Sequence, residues 1–450
     1  MRTHVIIVGG GVSGLAAGVL LTTQGVMVTV LEQKPALGGR AYSYTDAVTG
    51  DVVDNGQHVL IAGYERTMHF LDIIGAREFL TIQKTPLLCF HVAERGFREF
   101  RLPPLPSPLH LIWGILTSSL FLFRDRLRLL RAGAALASAH PATDEALRAM
   151  TVEQWLDSVG QSRECKISFW EPLAVSIMNE HIDRASAALF VRSVAKAFLH
   201  GRRHAALAIP HVGLSQLYAE GAQKYITLHG GKVLCGVDVD GVDITDGRVG
   251  GVRLRGNTAI RGDAVILAVP PQKLLAILTG TSLATRLHPI LSSFDSSPIV
   301  SIHLWFTSEW MTRDVVGLVG RRVQWVFNKR MINGETGKGG HISAVISAAH
   351  EYVERTNEEL VRIAVEDLRS VYPDAVEEPR HAVVIREKSA TFSATPAIEC
   401  LRPPQATEIP NLFFAGDWTD TGYPATIEGA VASAESCVQA IVHSLHPSSE

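Results

Sequence analysis

The chain opens on two apolar runs separated by a glycine-rich turn and a helical stretch. Residues 4–8 are apolar from Val5 onward, as in a strand that is buried on both faces. Residues 15–24 follow the glycines as a helical run, Gly25 ends that run, and residues 26–31 form a second apolar strand. This order predicts a β-α-β unit with two neighbouring parallel strands.

Later apolar runs predict a second layer of strands. Strand-like segments recur at residues 263–269, 299–306, 323–327, 341–347 and 382–387, and an amphipathic helix is expected within 358–371. The first of these segments is closed by two prolines and is expected to return to the first sheet. The others suit a sheet that forms the floor of a cavity.

These patterns predict an α/β fold in which a Rossmann-like domain carries an inserted α+β domain. The Rossmann-like domain is expected to be discontinuous, assembled from residues 1–85, 205–290 and 390–450. The inserted domain is expected to comprise residues 86–204 and 291–389.

An almost wholly apolar stretch at residues 109–123 follows four prolines and precedes four arginines, Arg124, Arg126, Arg128 and Arg131. As one helix it would span only about 23 Å, which is too short to cross a bilayer. It could enter one leaflet while the arginines of segment 109–131 meet anionic head groups. The alternative is a helix buried beneath the inserted domain, and the sequence leaves both readings open.

Composition narrows the class of protein. The 450 residues are 46% hydrophobic and 19% charged, which is enough for more than one domain with a sizeable core. The chain has 42 Lys plus Arg and 45 Asp plus Glu, so it lacks the basic excess of a nucleic-acid-binding protein. Five cysteines without a paired spacing favour neither a disulfide framework nor a zinc site, so a reducing cytoplasm is the expected location.

The histidines offer no metal site. His200 and His204 are four residues apart on a predicted helix, but arginines surround them and no carboxylate accompanies them. We therefore predict no bound metal. The oligomeric state is left open.

The glycine pattern of the first turn predicts a dinucleotide site. Gly9 permits the tight turn, Gly11 lets the backbone approach a pyrophosphate, and Gly14 lets the helix pack closely on the strand. The helix N-terminus offers amide hydrogens and a partial positive charge to the phosphates. Glu32, which ends the second strand 18 residues after Gly14, can accept bonds from ribose hydroxyls. The binding residues predicted in this unit are Gly9, Gly11, Val12, Ser13, Gly14, Glu32 and Gln33.

Two further motifs point to one kind of dinucleotide. Gly38-Gly39-Arg40 is a second glycine turn that brings a guanidinium toward the phosphates. Near the other end of the chain, an apolar strand runs into Gly416-Asp417, and a last helix begins about ten residues later. Together with the first forty residues, this pattern resembles the FAD fingerprint of the amine-oxidase and carotenoid-desaturase superfamily.

The resemblance implies an FAD-binding domain of the amine-oxidase or phytoene-desaturase type and a non-covalent FAD. It implies that Asp417 meets the ribityl or pyrophosphate region and that the last helix points its N-terminus at the flavin pyrimidine. The segment after Asp54 would pass beside the isoalloxazine, although a polar turn that closes a hairpin is the alternative for this segment. Some relatives attach flavin through a cysteine near Cys400, but a buried structural thiol is the favoured interpretation here. The further binding residues implied are Gly38, Gly39, Arg40, Gly56, Gln57, His58, Val237, Gly416, Asp417, Glu428, Gly429 and Ala430.

A narrower set of motifs resembles the hydroxysqualene dehydroxylase family, also called squalene-associated FAD-dependent desaturases. The matching segments are residues 54–58, 170–173, 210–215, 394–396 and 422–429. The resemblance implies reductive removal of the hydroxyl of hydroxysqualene to give squalene in bacterial hopanoid or related triterpene biosynthesis. The alternatives are a desaturase of a C30 or C40 isoprenoid and a non-catalytic prenyl-binding carrier. Such carriers have lost the flavin motifs that this chain keeps.

Loss of an allylic hydroxyl as water requires an acid near that hydroxyl. The candidates are His58, beside the flavin by resemblance, and Glu171, within the 170–173 motif. Burial would have to raise the pKa of Glu171 for it to remain protonated near neutral pH. The alternative is that Glu171 caps a helix or pairs with an arginine such as Arg192.

Overall fold

The computed structural model describes residues 3–256, 258–374 and 376–445. The strands of this part of the chain are numbered in order: β1 His4–Val8, β2 Met27–Glu32, β3 Ser43–Thr45, β4 Val52–Asp54, β5 Leu60–Ile61, β6 Leu80–Ile82, β7 Leu87–Val92, β8 Gly96–Arg101, β9 Leu207–Pro210, β10 Lys232–Cys235, β11 Val239–Thr245, β12 Arg248–Leu254, β13 Ala259–Arg261, β14 Ala264–Leu267, β15 Ser296–Trp305, β16 Val315–Val319, β17 Trp325–Asn328, β18 His341–Ile346, β19 His381–Phe392 and β20 Leu412–Phe414.

The α-helices of the same residues are α1 Val12–Thr23, α2 Glu65–Ile73, α3 Leu109–Thr117, α4 Phe123–Ser138, α5 Glu145–Ala149, α6 Val152–Ser158, α7 Arg163–Cys165, α8 Glu171–Met178, α9 Ala187–Leu199, α10 Gly221–Leu228, α11 Pro271–Ile277, α12 Ser282–Leu291, α13 Lys329–Asn333, α14 Asn357–Val371, α15 Pro396–Glu399 and α16 Ile427–Leu445.

A five-stranded parallel sheet organises the first layer, in the order β10-β2-β1-β14-β20. Val5, Ile6 and Ile7 of its central strand are fully buried, because α1 and other elements cover both faces of the sheet. The predicted β-α-β unit is present as β1, α1 and β2. All five strands end at the same edge of the sheet, which is where ligands bind in folds of this kind.

A seven-stranded mixed sheet forms the second layer, in the order β19-β15-β18-β17-β16-β7-β8. The later strands expected from the sequence, from 299–306 to 382–387, belong to it as β15, β17, β18 and β19. The expected amphipathic helix is α14, which begins at a capping box of Thr356 and Glu359 and packs its apolar side on this sheet. Three strands of this sheet, β7, β8 and β16, were not predicted, and β7 and β8 extend the sheet at one edge.

The two sheets draw their strands from different parts of the chain. The parallel sheet uses strands between residues 4 and 32, between 232 and 267, and at 412–414. The mixed sheet uses strands within 87–101 and 296–392. Strand β19 ends at Phe392, three residues past the boundary expected at 389. The division into a discontinuous dinucleotide-binding domain and an inserted domain stays a prediction.

The apolar run 109–123 is not one helix, contrary to the expectation. It forms α3 and the start of α4, and the chain turns between them at Ser118. The Ser118 hydroxyl donates to the Glu99 carbonyl at 2.6 Å and accepts the Leu120 amide at 3.2 Å. Phe121 is buried, whereas Trp113 and Phe123 are 56% and 76% exposed. Among residues 3–445 that the structure describes, no helix is both long enough and apolar enough to span a membrane.

Candidate active site

A cavity of about 720 Å³ lies where the parallel strands end and continues toward the mixed sheet. It collects residues that are far apart in the sequence, and most of the predicted binding residues line it. Those that do are Gly9, Gly11, Val12, Ser13, Glu32, Gln33, Gly38, Gly39, Arg40, Gly56, Gln57, His58, Val237, Gly416, Asp417 and Ala430.

The first glycine turn has the backbone geometry that its sequence predicts. Gly9 has φ +111°, and a Cβ there would lie 2.3 Å from the Ala268 carbonyl oxygen. A Cβ on Gly14 would lie 2.0 Å from the Gly9 carbonyl oxygen, so Gly14 serves packing and does not itself line the cavity. At Gly11 a Cβ would meet only the Gly39 Cα, at 3.8 Å. Gly11 therefore borders open space inside the cavity.

The Glu32 carboxylate is buried and held in place by backbone amides. One oxygen accepts the Gly10 amide at 2.7 Å and the other accepts the Lys34 amide at 2.8 Å. The Glu32 carbonyl accepts the Val237 amide at 2.9 Å, which brings β10 and its following turn to the same place. The carboxylate keeps further lone pairs that can accept two ribose hydroxyls.

One ion pair joins the glycine turn at residues 38–40 to the Gly416-Asp417 motif near the other end of the chain. Arg40 Nη2 lies 2.7 Å from Asp417 Oδ1, and Arg40 Nη1 donates to the Ala390 carbonyl at 3.0 Å. The charge of Asp417 raises the pKa of the Arg40 guanidinium further above its ordinary value. The pair joins residues separated by 377 positions, and it places one fixed positive charge at the cavity wall.

These residues fit a dinucleotide. Helix α1 begins at Gly11 without a side-chain cap and has no acidic residue in its first turn, so its first amides remain available to a phosphate. The open space at Gly11 allows close approach of that phosphate. Glu32 is in place for a ribose at the end of the neighbouring strand.

Three predicted flavin residues, including the packing residue Gly14, do not line the cavity. Glu428 is fully buried, and its carboxylate turns toward the N-terminus of α2. It accepts the Thr67 amide at 3.0 Å and the Thr67 hydroxyl at 2.8 Å. Gly429 donates its amide to the Thr426 hydroxyl at 3.1 Å. Thr426, Ile427 and Ala430 at the start of α16 line the cavity instead. The Glu428 carboxylate joins α16 to α2.

Glu171, which the sequence suggested as a candidate acid, does not line the cavity. One carboxylate oxygen lies 2.5 Å from His181 Nδ1, and the other accepts the Ile182 amide at 3.2 Å. The hydrogen bond with Glu171 raises the pKa of His181. The alternative of a pair with Arg192 is also wrong, because Arg192 donates to the Gly422 carbonyl. Glu171 therefore fixes the turn that follows α8.

His58 lines the cavity but is poorly suited to act as a cationic acid. Burial lowers its pKa below the ordinary value, so the imidazole is neutral near pH 7. Its Nδ1 atom is buried and has no hydrogen-bond partner within the described part of the chain. A neutral imidazole can still accept or donate one hydrogen bond to a ligand in the cavity.

Tyr423 and Lys196 are cavity residues that sequence reasoning did not assign. Tyr423 Oη accepts a hydrogen bond from Lys196 Nζ and another from Arg66 Nη1, the latter at 3.1 Å. Lys196 Nζ also lies 3.7 Å from Glu428 and 4.9 Å from the centre of the Tyr423 ring. Since two cations occupy the lone pairs of the phenol oxygen, its own hydrogen is left for another acceptor. The only hint in the sequence was the motif at 422–429.

The rest of the cavity is an apolar chamber between α8, α9 and the mixed sheet. The side chains that line it are predominantly aliphatic and aromatic, as expected for a site that takes an apolar ligand. They include Leu88, Phe90, Phe169, Leu173, Ile177, Phe198, Leu207, Ile299, Val315, Trp325, Phe327 and Val345.

A buried polar cluster lies on the same face of the mixed sheet. His303 Nδ1 and His341 Nε2 are 3.1 Å apart, and Ser301 Oγ, two residues before His303, lies 3.9 Å from where a Cβ on Gly56 would stand. Lys329 Nζ donates to Asp54 at 3.2 Å and to Gln57 at 3.0 Å. The cluster thus holds the loop that carries Gly56 and Gln57 along the cavity.

Acid should destabilise the protein through this cluster. Burial, and next the charge of Lys329, lowers the pKa of His303 to about 4, whereas the unfolded chain binds that proton near pH 6.5. The stabilising contribution is therefore complete above pH 6.5 and is lost as the pH falls toward 4. For His303→Asn, we expect the decrease in unfolding free energy between pH 7 and pH 5 to be smaller by about 2 kcal/mol than for the parent. Urea unfolding of both proteins at both pH values measures this decrease. A decrease of the same size in the variant and the parent would show that His303 does not titrate in this way.

Comparison with known proteins shows which family the chain belongs to. The family model described as flavin containing amine oxidoreductase matches residues 12–442. The chain is 30% identical to hydroxysqualene dehydroxylase of Rhodopseudomonas palustris over 96% of this chain and 97% of that protein. It is 28% identical to hydroxysqualene dehydroxylase of Sinorhizobium fredii over 96% and 97%. It is 23% identical to the 15-cis-phytoene desaturase of Glycine max over 98% of this chain and 79% of that protein.

The fold is also found among solved structures. An oxidoreductase from Methanosarcina mazei superposes with a TM-score of 0.77 at 17% identity, covering 97% of this chain and all of that one. This likeness confirms the expected α/β fold with its dinucleotide-binding domain. Because the family model spans nearly the whole chain, the protein belongs to the flavin-containing amine oxidoreductases and is an FAD-dependent oxidoreductase.

Proposed function

We propose that the protein reductively removes the hydroxyl of hydroxysqualene to give squalene, in bacterial hopanoid or related triterpene biosynthesis. The observation that carries the proposal is the single cavity that joins the dinucleotide cradle at Gly11 and Glu32 to an apolar chamber at Phe169 and Phe327. A C30 hydrocarbon chain needs such a chamber. Two relatives that match nearly the full chain bear the name of this activity.

The residues of the chamber have two tasks in this reaction. The apolar walls exclude water from the carbon that loses its hydroxyl. We propose that Tyr423 donates its phenol hydrogen to the departing hydroxyl, which leaves as water, and that Lys196 and Arg66 stabilise the phenolate that remains. Reduced FAD, when bound, supplies the two electrons and the hydrogen that replace the C–O bond.

Anaerobic incubation of the reduced protein with hydroxysqualene tests the proposed function. We expect squalene as the product and oxidation of one flavin per squalene formed. In parallel, the oxidised protein is incubated with phytoene, because phytoene desaturases also match over most of the chain. Formation of a desaturated product from phytoene together with no squalene from hydroxysqualene would favour the desaturase. A protein that holds FAD and transforms neither substrate would contradict both proposals.

We further propose that FAD is held without a covalent bond. All five cysteines lie among the described residues, and none of them lines the cavity. Cys400 is exposed, so the prediction that its thiol is buried was wrong, and Arg148 Nη2 lies 3.7 Å from its sulfur. Acid precipitation should therefore release all of the flavin into the supernatant, and flavin that stays with the precipitate would contradict this proposal.

We propose peripheral contact with the inner face of the cytoplasmic membrane through helices α3 and α4, in a protein that is otherwise cytoplasmic. Leu109, Trp113 and Phe123 are more than half exposed on these helices, and Arg124 and Arg131 are exposed nearby. Aromatic and aliphatic side chains beside arginines are typical of a surface that enters an anionic leaflet. Arg126 has another role, because it donates to the Leu116 and Ser118 carbonyls and so fixes the turn between α3 and α4.

Replacing Trp113 and Phe123 by Ser should release the protein from anionic liposomes. Because two exposed aromatic side chains no longer enter the leaflet, we expect the affinity for the liposomes to fall at least about tenfold. The fraction of protein that sediments with the liposomes measures this affinity. The matched control is Leu228→Ser with Met331→Ser, two exposed apolar residues on other elements. Equal sedimentation of the two double variants would contradict a membrane role for α3 and α4.

A further inference from the structure

A basic groove lies outside the cavity, and neither the cofactor site nor the proposed reaction uses it. It has a volume of about 510 Å³, and Arg77, Lys84, Arg202, Arg203 and His204 line it. Four permanent positive charges in one groove favour a negatively charged ligand.

Few acidic groups neutralise this groove. Arg77 pairs with Asp72 at 3.1 Å, and His204 Nε2 lies 3.3 Å from Glu65. Among the residues that the structure describes, Arg202 donates only to the Lys84 carbonyl, at 3.5 Å, which joins the two sides of the groove. The guanidinium of Arg202 therefore keeps most of its donors for a ligand that presents several oxygens, such as a phosphate.

The groove and the cavity share one wall. Segments 61–63 and 204–207 are paired backbone to backbone, and the Ala62 amide donates to the Ala206 carbonyl at 2.8 Å. Ala62 and Ala206 face the groove, whereas Ile61 and Leu207 face the cavity. Only one layer of backbone separates an anion in the groove from the apolar chamber.

The segment before α3, the helix that carries exposed apolar residues, is hydrogen-bonded to the two stretches of chain that lead to the groove. The Ser107 hydroxyl donates to the Leu199 carbonyl at 2.7 Å, three residues before Arg202. On the other side, the Leu102 amide donates to the Pro86 carbonyl at 3.1 Å, two residues after Lys84. The segment that leads into α3 is therefore bonded to the chain two or three residues away from the groove on both of its sides.

We propose that this groove binds the phosphate of an anionic phospholipid head group when α3 and α4 contact the membrane. The phosphate diester would lie between Arg202, Arg203 and Lys84, and the acyl chains would extend along the neighbouring apolar surface of α3. A bound lipid would thereby hold the wall of the apolar chamber against the leaflet from which a hydrophobic substrate comes. The inference rests on the membrane contact proposed above, but not on the identity of the reaction.

Sedimentation with vesicles tests the groove in the FAD-loaded full chain. The vesicles contain phosphatidylcholine alone or phosphatidylcholine with phosphatidylglycerol, at low and high salt. We expect Arg202→Gln with Arg203→Gln to weaken binding to the phosphatidylglycerol vesicles at least about tenfold at low salt and to leave binding to phosphatidylcholine unchanged. The control, Lys224→Gln with Arg362→Gln, removes two exposed charges elsewhere and should bind like the parent.

A second pair, Arg77→Gln with Lys84→Gln, repeats the test from the other side of the groove if the first variant does not fold. Flavin content and thermal unfolding report on folding in every variant. Binding of both groove variants at the level of the parent would overturn the proposal. Saturation of the groove by inorganic phosphate in calorimetry, with loss of vesicle binding, would also overturn it, because the ligand would then be a soluble phosphate.

Squalene formation from detergent-solubilised hydroxysqualene is measured on the same preparations. A parent that makes squalene while the groove variants bind vesicles normally would overturn only the lipid site. A parent that makes no squalene but needs the groove for vesicle binding would overturn only the proposed reaction.

Discussion

Gly11→Val should give a folded protein that holds no flavin. Gly11 has φ −77°, which valine adopts without strain, and a Cβ at this position would meet no protein atom closer than 3.8 Å. The added side chain would instead occupy the space between the two glycine turns, where the pyrophosphate must approach the backbone. We expect the flavin content of the purified variant to fall from one per chain to nearly none. Its circular dichroism should remain that of a folded α/β protein.

Two further glycine variants serve as controls for Gly11→Val. Gly250→Val adds the same side chain on β12 at a position where a Cβ meets no atom within 4 Å, and it should keep its flavin. Gly14→Ala places a Cβ 2.0 Å from the Gly9 carbonyl oxygen and should lower the stability of the fold itself. If Gly11→Val purified with a full complement of flavin, the cradle at the start of α1 would not be the pyrophosphate site.

The sequence predicted the features that depend on local pattern. A buried strand, a glycine turn, a helix and an acid at the next strand end lie within 32 residues, and their chemistry can be inferred without knowing the rest of the fold. Arg40 and Asp417 were both predicted, although their ion pair joins positions 377 apart, because each stands in a motif of its own.

Features set by packing between distant segments were not predictable. Glu428 stands in the C-terminal motif, yet its carboxylate is directed to Thr67 on α2, and no pattern in either segment encodes that contact. Glu171 stands in a family motif but accepts hydrogen bonds from the turn at His181 and Ile182. The apolar run 109–123 splits into two helices because Ser118 bonds to Glu99 on β8, a strand that hydrophobic periodicity did not reveal.

The same limit applies to the choice of the acid. An acid for this reaction must both face the chamber and have a proton to give, and each condition is set by tertiary contacts. Glu171 does not meet the first condition, because it does not line the cavity. His58 does not meet the second as a cation, because its lowered pKa leaves the imidazole neutral near pH 7. We proposed Tyr423 because it lines the cavity and because Lys196 and Arg66 both donate to its oxygen, which leaves its own hydrogen for a ligand.

Tyr423→Phe should therefore retain FAD and lose most of its dehydroxylation. The ring and its packing remain, so the cofactor site and the chamber keep their shape, and only the phenol oxygen is removed. A positioned acid contributes about 10²-fold to 10⁴-fold to a rate, and we expect the single-turnover rate with hydroxysqualene to fall at least about 10²-fold. The measurement mixes anaerobically reduced protein with substrate and follows flavin oxidation together with squalene.

Glu171→Gln is the matched control for this variant. It also removes one group that can release a proton, but from a side chain that does not line the cavity and pairs with His181 instead. We expect it to form squalene at nearly the parental rate, with a small loss of stability because the His181 pair is weakened. If Tyr423→Phe reacted like the parent while Glu171→Gln lost the activity with its FAD retained, the proton would reach the departing hydroxyl from the α8 side of the protein, and the assignment of Tyr423 would be wrong.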